Sequence, residues 1–155
     1  MAAAASIAAQ LLQQDRSVGL VAYGRLRHVI QPDQGAHQLS RLLESLAVLE
    51  AEGWLTLEEV AKVELPQVPP GASLVLITSS VSPGLAGLVQ DLARRGLLPM
   101  VVLLEVESCG GPAGSRGVAE ATRRAGFEVR LVSRGQDLGA ALSTPLSPSR
   151  YSSAA

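Results

Sequence analysis

Three apolar runs of strand length, Ser73–Thr78, Pro99–Val106 and Glu128–Val132, alternate with two stretches of helical character, Pro83–Arg95 and Ser115–Ala125. Few folds accommodate that alternation. Near-continuous apolar strands need cover on both faces, and parallel strands need crossover connections, which the intervening helices supply. The expected class is therefore α/β: a three-layer sandwich with a mostly parallel sheet. Pro83 and Gly96 punctuate the first of these helices in the usual order, proline at the start and glycine at the end.

The sequence upstream extends the pattern. Met1–Leu12 is Ala-rich, with Ile7 and Leu11 four apart, and reads as a helix with a narrow apolar stripe. Val18–Tyr23 reads as a buried strand closed by Gly24. Leu26–Ile30, with Arg27 and His28 interleaved and Pro32 beyond, reads as an edge strand hairpinned to it. From His37 to Leu49, leucines recur at three and four residues, the spacing of an amphipathic helix. Gly53–Val63 is expected to form a second short helix, with Trp54 as a core anchor. Leu65–Gly71 holds three of the nine prolines and reads as an extended connector. A short helix over Gln136–Leu142 ends the pattern. One domain over residues 1–142 is expected, with a disordered Ser-, Pro- and Ala-rich tail at 143–155.

Composition closes off several function classes. Thirteen basic against fourteen acidic residues give a net charge of −1, which supplies no overall field for nucleic acid or an anionic membrane. Lys62 is the sole lysine, so no Gly-Lys-Ser/Thr phosphate loop exists. A single cysteine cannot form an internal disulfide, which fits a reducing, cytoplasmic setting. The longest apolar run, Leu97–Leu104, is far short of the roughly 18–20 residues that span a bilayer. Met1–Leu12 carries no basic residue and so lacks the charged start of a secretory signal.

Candidate chemistry is sparse. Thr78, Ser79, Ser80 and Ser82 follow an apolar strand, where open α/β sheets place ligands, and their hydroxyls suit an anion at the next helix start. The plainer reading makes Ser82 the cap of that helix. The loop Cys109–Gly117, with Gly110, Gly111, Gly114, Gly117, Ser115 and Arg116, suggests a phosphate cradle, although its spacing departs from G-x-G-x-x-G. Ser115 as a simple N-cap explains it as well. Cys109 as a nucleophile would need a base, and His28 and His37 are the only histidines. Asp33 and His37 flank Gly35 but make only half of a cation site. Glu44, Glu50, Glu52, Glu58 and Glu59 are expected on solvated helix faces.

The segments "DRSVGLVAYG", "VIQPDQGAHQLSRLLESLAVLEAEG", "PPGASLVLITSSVSPGLAGLVQDLARRGLLPMVVLLEVES" and "GFEVRLVSRGQDLGAAL" together resemble the carboxyl-terminal portion of the domain-of-unknown-function 58 family. The resemblance covers most of residues 5–142 and implies a Rossmann-like, von Willebrand factor A-like fold. It also implies a non-enzymatic interaction or assembly module, without cofactor, whose partner is a protein of the MoxR-type AAA ATPase class. Relatives in that family are often membrane-anchored. On this alignment Met1 falls at the family's first helix, so the central strand with its Asp-x-Ser-x-Ser motif is missing, and an amino-terminally truncated domain is expected. The second metal loop corresponds to Gly35–His37, without Thr, and the third to Thr78–Ser80, without Asp. No adhesion-type metal site is therefore expected, since hydroxyls alone do not offset cation dehydration. Gly35, His37, Thr78, Ser79 and Ser80 remain the candidate ligand or partner loops. Without the central strand, Val18–Tyr23 and Ser73–Thr78 would pair directly, leave a groove, or take a strand from another chain in a strand-sharing oligomer. Two alternatives stay open: a Rossmann-like binder or enzyme for a small anionic ligand, and a fragment without independent function.

Overall fold

The computed structural model describes residues 1–50 and 52–142; the expected tail at 143–155 lies outside the described residues. The chain is α/β and divides into two compact units, Met1–Glu64 and a second beginning at Leu65.

In the first unit, α1 (Ala2–Gln13) leads into β1 (Val18–Tyr23) and β2 (Arg27–Asp33), which pair antiparallel with Leu20 opposite Ile30 and Tyr23 opposite Arg27. The register slips between Val18 and Leu20, where Gly19 lies so close to the Ile30 carbonyl that a side chain would meet it at 2.7 Å. The helix α2 (Gly35–Ala47) covers this hairpin. Ala8 and Leu12 of α1 meet Leu42 of α2, with Val18, Leu20, Ile30 and Leu39 packed around them. The stripe on α1 thus runs through Ala3, Ile7, Ala8 and Leu12, one position away from the expected Leu11. Buried Gln38 donates from Nε2 to the carbonyls of Val18 and Gln31, satisfying strand groups that the irregular register leaves over. After α2 comes α3 (Leu57–Glu64), which starts at a reciprocal cap: the Glu59 carboxylate accepts from the Thr56 amide and the Thr56 hydroxyl accepts from the Glu59 amide.

The second unit opens with a 3-10 turn, Leu65–Gln67, within the stretch that its prolines mark as an extended connector. Then follow β3 (Ser73–Thr78), α4 (Leu85–Arg94), β4 (Leu98–Glu105), α5 (Ser115–Arg124), β5 (Val129–Ser133) and α6 (Leu138–Leu142). The strands form a parallel sheet in the order β3-β4-β5, with Ser73 beside Leu98 and Val101 beside Val129. Centrality explains the sequence of β4: Met100, Val101, Val102 and Leu103 are all buried, on both faces of the strand. The helices α4, through Leu85, Val89 and Leu92, and α5, through Ala119, contribute the remaining core. Among the described residues β1 does not pair with β3; the hairpin is a sheet of its own. No helix among the described residues is long and apolar enough to cross a membrane.

Candidate functional site

Parallel strands end together, so the carboxyl edge of β3, β4 and β5 gathers three loops. In the first, the Thr78 hydroxyl accepts from the Ser80 amide at 3.1 Å, the Ser80 hydroxyl from the Ser82 amide at 3.2 Å, and the Ser82 hydroxyl from the Gly84 amide at 3.2 Å. This ladder of side-chain-to-backbone bonds turns the chain toward α4. Gly84, rather than Ser82, is the capping residue of α4, and Ser82 braces the turn before it. Thr78 and Ser80 are half-buried and engaged; Ser79 between them is exposed. Gly35 and His37 lie at the exposed start of α2, in the first unit.

In the second loop a 3-10 turn, Glu107–Cys109, precedes the glycines. Gly110 takes a left-handed φ of 78°, and Gly111 backs so tightly onto Val106 that a Cβ would lie 2.4 Å from Val106 Cγ2. The glycines therefore serve a tight return of the chain. The amino terminus of α5 is filled from within: one oxygen of Glu107 accepts from the Gly114 amide at 2.8 Å, the Ser115 amide at 3.1 Å and the Ser115 hydroxyl at 2.9 Å. Ser115 is thus not the N-cap; Gly114 holds that position and Glu107 supplies the acceptor. The Gly114 amide first, then the Ser115 groups, hold the Glu107 carboxyl below its ordinary range, as expected for an anion at a helix amino terminus. A carboxylate of the chain's own sits where an external phosphate would bind.

Nearby, Cys109 is exposed, with its Sγ 3.4 Å from Arg134 and 3.8 Å from the Ser108 hydroxyl. The Arg134 contact, then that of Ser108, pushes the thiol down from its ordinary value. Arg134 follows β5 and had drawn no attention in the sequence, because only the fold brings it to Cys109. Glu105, at the end of β4, accepts from the Ser133 hydroxyl and pairs with Arg116 at 3.3 Å. His28, the base considered for Cys109, instead hydrogen-bonds Ser45 at 3.0 Å in the first unit. Asp33 accepts from the Gln34 amide, and among the described residues no group of three or more His, Cys, Asp or Glu is placed to hold a metal ion.

A second constellation, unanticipated from sequence, surrounds the β1–β2 turn. Glu64, only 5% exposed, accepts from the Tyr23 hydroxyl and from Arg27 through both oxygens, Nε at 2.5 Å and Nη2 at 2.9 Å. Arg27 first, then Tyr23, draws the Glu64 carboxyl down to about 2. This clasp fastens the end of α3 to the hairpin. Residues of the α2–α3 connection also lie against this turn. Gly24 backs onto the Glu50 carbonyl and Gly53 onto the Tyr23 carbonyl, each so closely that a Cβ would fall within 2.8 Å of the oxygen. Along the turn and the segments that meet it Leu26, Val48, Trp54, Leu55 and Val63 are each exposed, Trp54 to 87% and Leu26 to 72%. Trp54 is therefore not a core anchor: the connection that carries it runs along the outside of the turn. Glu50 and Glu52 also lie in this connection rather than on a helix, and Glu58 is half-buried.

No protein-family model matches this chain, and comparisons with curated proteins and with solved structures gave no match.

Proposed function

We propose that the chain is a non-enzymatic protein-interaction or assembly module with a von Willebrand factor A-like variant of the α/β fold. The observation that carries this reading is the exposure of large apolar side chains on the β1–β2 turn and on the segments that meet it. Large hydrophobic side chains gathered in solvent mark an association surface, whereas scattered ones do not. Among them is Trp54, of the residue type most often found where binding energy concentrates. The MoxR-type AAA ATPases associated with the resembled family are the first partner class to test.

The rival reading, a binder or enzyme for a small anionic ligand, has to use the carboxyl edge of the parallel sheet. There Glu107 already occupies the α5 amides, and the Thr78, Ser80 and Ser82 hydroxyls already serve backbone amides. An anion that sought those backbone amides would have to displace the acceptors already on them, at a cost in lost hydrogen bonds.

Photo-crosslinking from a probe beside Trp54, in lysate of the source cells, tests the proposal. Recovery of a defined protein adduct that disappears in Leu26→Ser supports it. An absence of protein adducts, together with a rise in melting temperature at millimolar nucleotide or phosphosugar, would replace it with the small-ligand reading, since a ligand that binds the native state must stabilise it.

A further inference from the structure

The same surface carries a charge pattern, and resting on the interaction reading we propose that its occupant is a cationic amphipathic segment: a partner helix or strand with aliphatic residues on one face and arginine or lysine beside them.

Charge is unevenly divided along the chain. Residues 1–64 hold five basic and eight acidic residues, whereas residues 65–155 hold eight basic and six acidic. The acidic excess of the first unit falls in the stretch of chain that also carries Val48, Trp54, Leu55 and Val63. From Leu43 to Glu64 there are six glutamates and one lysine. Two of those glutamates are compensated by the hairpin turn, Glu50 by Arg25 at 3.6 Å and Glu64 by Arg27. Glu44, Glu52, Glu58 and Glu59 remain against Lys62, and Glu59 is engaged in capping α3. Glu52 stands two residues from Trp54 in the same connection. An indole and a carboxylate two residues apart in one exposed segment suit a guanidinium, which can stack on the ring and pair with the acid. The leucine and valine side chains around it suit aliphatic residues on the same partner segment.

The surface also favours a segment over a second copy of this chain. A self-complementary interface would set the acidic excess against itself, which costs affinity and slows encounter. Five side chains around one turn match a peptide footprint better than the ~800 Å² that each partner buries in a standard interface. The clasp at Glu64 and the backbone approaches at Gly24 and Gly53 hold the surface in place before binding, which lowers the ordering cost.

Trp54 is the sole tryptophan, so its fluorescence reports occupancy directly. The probes are two synthetic amphipathic peptides of about 18 residues, roughly five helical turns. Both carry leucine on one face; one has arginine on the other face, the second has glutamate there. The arginine peptide is expected to shift Trp54 emission to the blue and to shield it from acrylamide, and the glutamate peptide to do neither. The double variant Glu52→Lys, Glu58→Lys should weaken the arginine peptide about tenfold, as should half-molar salt. Leu26→Ser, at an exposed position that leaves folding intact, should weaken it too. Equal protection by both peptides, or protection by neither, overturns the proposal. So does Trp54 shielding that grows with protein concentration alone, which identifies a second copy as the occupant. A protein adduct at Trp54 in lysate alongside failure of the arginine peptide leaves the interaction reading standing and removes only the partner chemistry. Absence of both removes the interaction reading as well.

Discussion

A single methyl group at Gly24 tests whether the α2–α3 connection lies against the hairpin turn. In Gly24→Ala the new Cβ would sit 2.4 Å from the Glu50 carbonyl oxygen and 3.2 Å from Leu49 Cδ1. The closer obstacle is backbone, so it cannot be relieved by a rotamer change. Restoring a tolerable 3.4 Å requires one segment to withdraw by about 1 Å. Overpacking of this kind costs roughly 1–3 kcal/mol. Against it stands the stiffening of the unfolded chain by alanine, which contributes about 0.4–1 kcal/mol. A net loss of about 1–2 kcal/mol is expected, which at a urea dependence of roughly 1–3 kcal/mol per molar lowers the unfolding midpoint by about 1 M. Gly87→Ala is the matched control: at an exposed position of α4, with nothing within 4 Å of its Cβ, it should stabilise by about 0.5–1 kcal/mol. Urea titration followed by circular dichroism measures both, and acrylamide quenching of Trp54 shows whether the connection has moved. If Gly24→Ala matches or exceeds the stability of the parent, the close approach that organises the proposed surface does not exist.

Three further outcomes follow from the same geometry. Glu64 titrates near 2 in the folded chain against an ordinary 4.5, so its stabilisation is complete above about 4.5 and is lost as the pH falls through about 2. Glu64→Gln should therefore unfold at lower urea than the parent at pH 7 and approach it by pH 2; a constant gap across that range contradicts the clasp. Removing the cation in Arg134→Ala should raise the Cys109 pKa and slow its alkylation by iodoacetamide several-fold at pH 7.5, and an unchanged rate would show that the contact is not maintained in solution. Leu103→Ala, at a fully buried position in β4, should cost about 3–5 kcal/mol by urea unfolding, whereas Leu43→Ala on the exposed side of α2 should cost under about 1 kcal/mol; similar values for both would refute the assignment of β4 to the centre of the sheet.

What could be read from the sequence was whatever rests on local periodicity. The strand at Ser73–Thr78 fell on the expected residues, because an apolar run bounded by Gly71 and Ser79 has one economical conformation. The helix α2 and the hairpin were legible for the same reason, their leucine spacing and the Gly24 turn being signals within a few residues. Helix starts were less so. Thr56 and Glu59 form a capping box that the sequence displays openly, yet the expected helix had been begun at Gly53. The cap of α5 was beyond local reading altogether, since its acceptor, Glu107, lies eight residues upstream of Ser115 across a tight return. Trp54 shows the opposite failure: tryptophan is usually well buried, and composition cannot tell that Gly53 and Gly24 press its segment along the outside of a turn.

The residues that organise the two constellations share a property that explains why motif reasoning passed over them. Glu64 meets Tyr23 and Arg27 from about 40 residues away, and Cys109 meets Arg134 from 25. Neither group has a characteristic spacing, because the fold rather than a loop sets the distance. Glu64 in particular looks in the sequence like one more solvated glutamate of α3, yet a carboxylate can be buried only if its charge and lone pairs are met, and Tyr23 and Arg27 meet them from the two ends of the turn. That compensation lets α3 close on the hairpin while Glu59 stays in solvent. The burial of Glu64 and the exposure of Glu59 on the same helix are thus two sides of one arrangement.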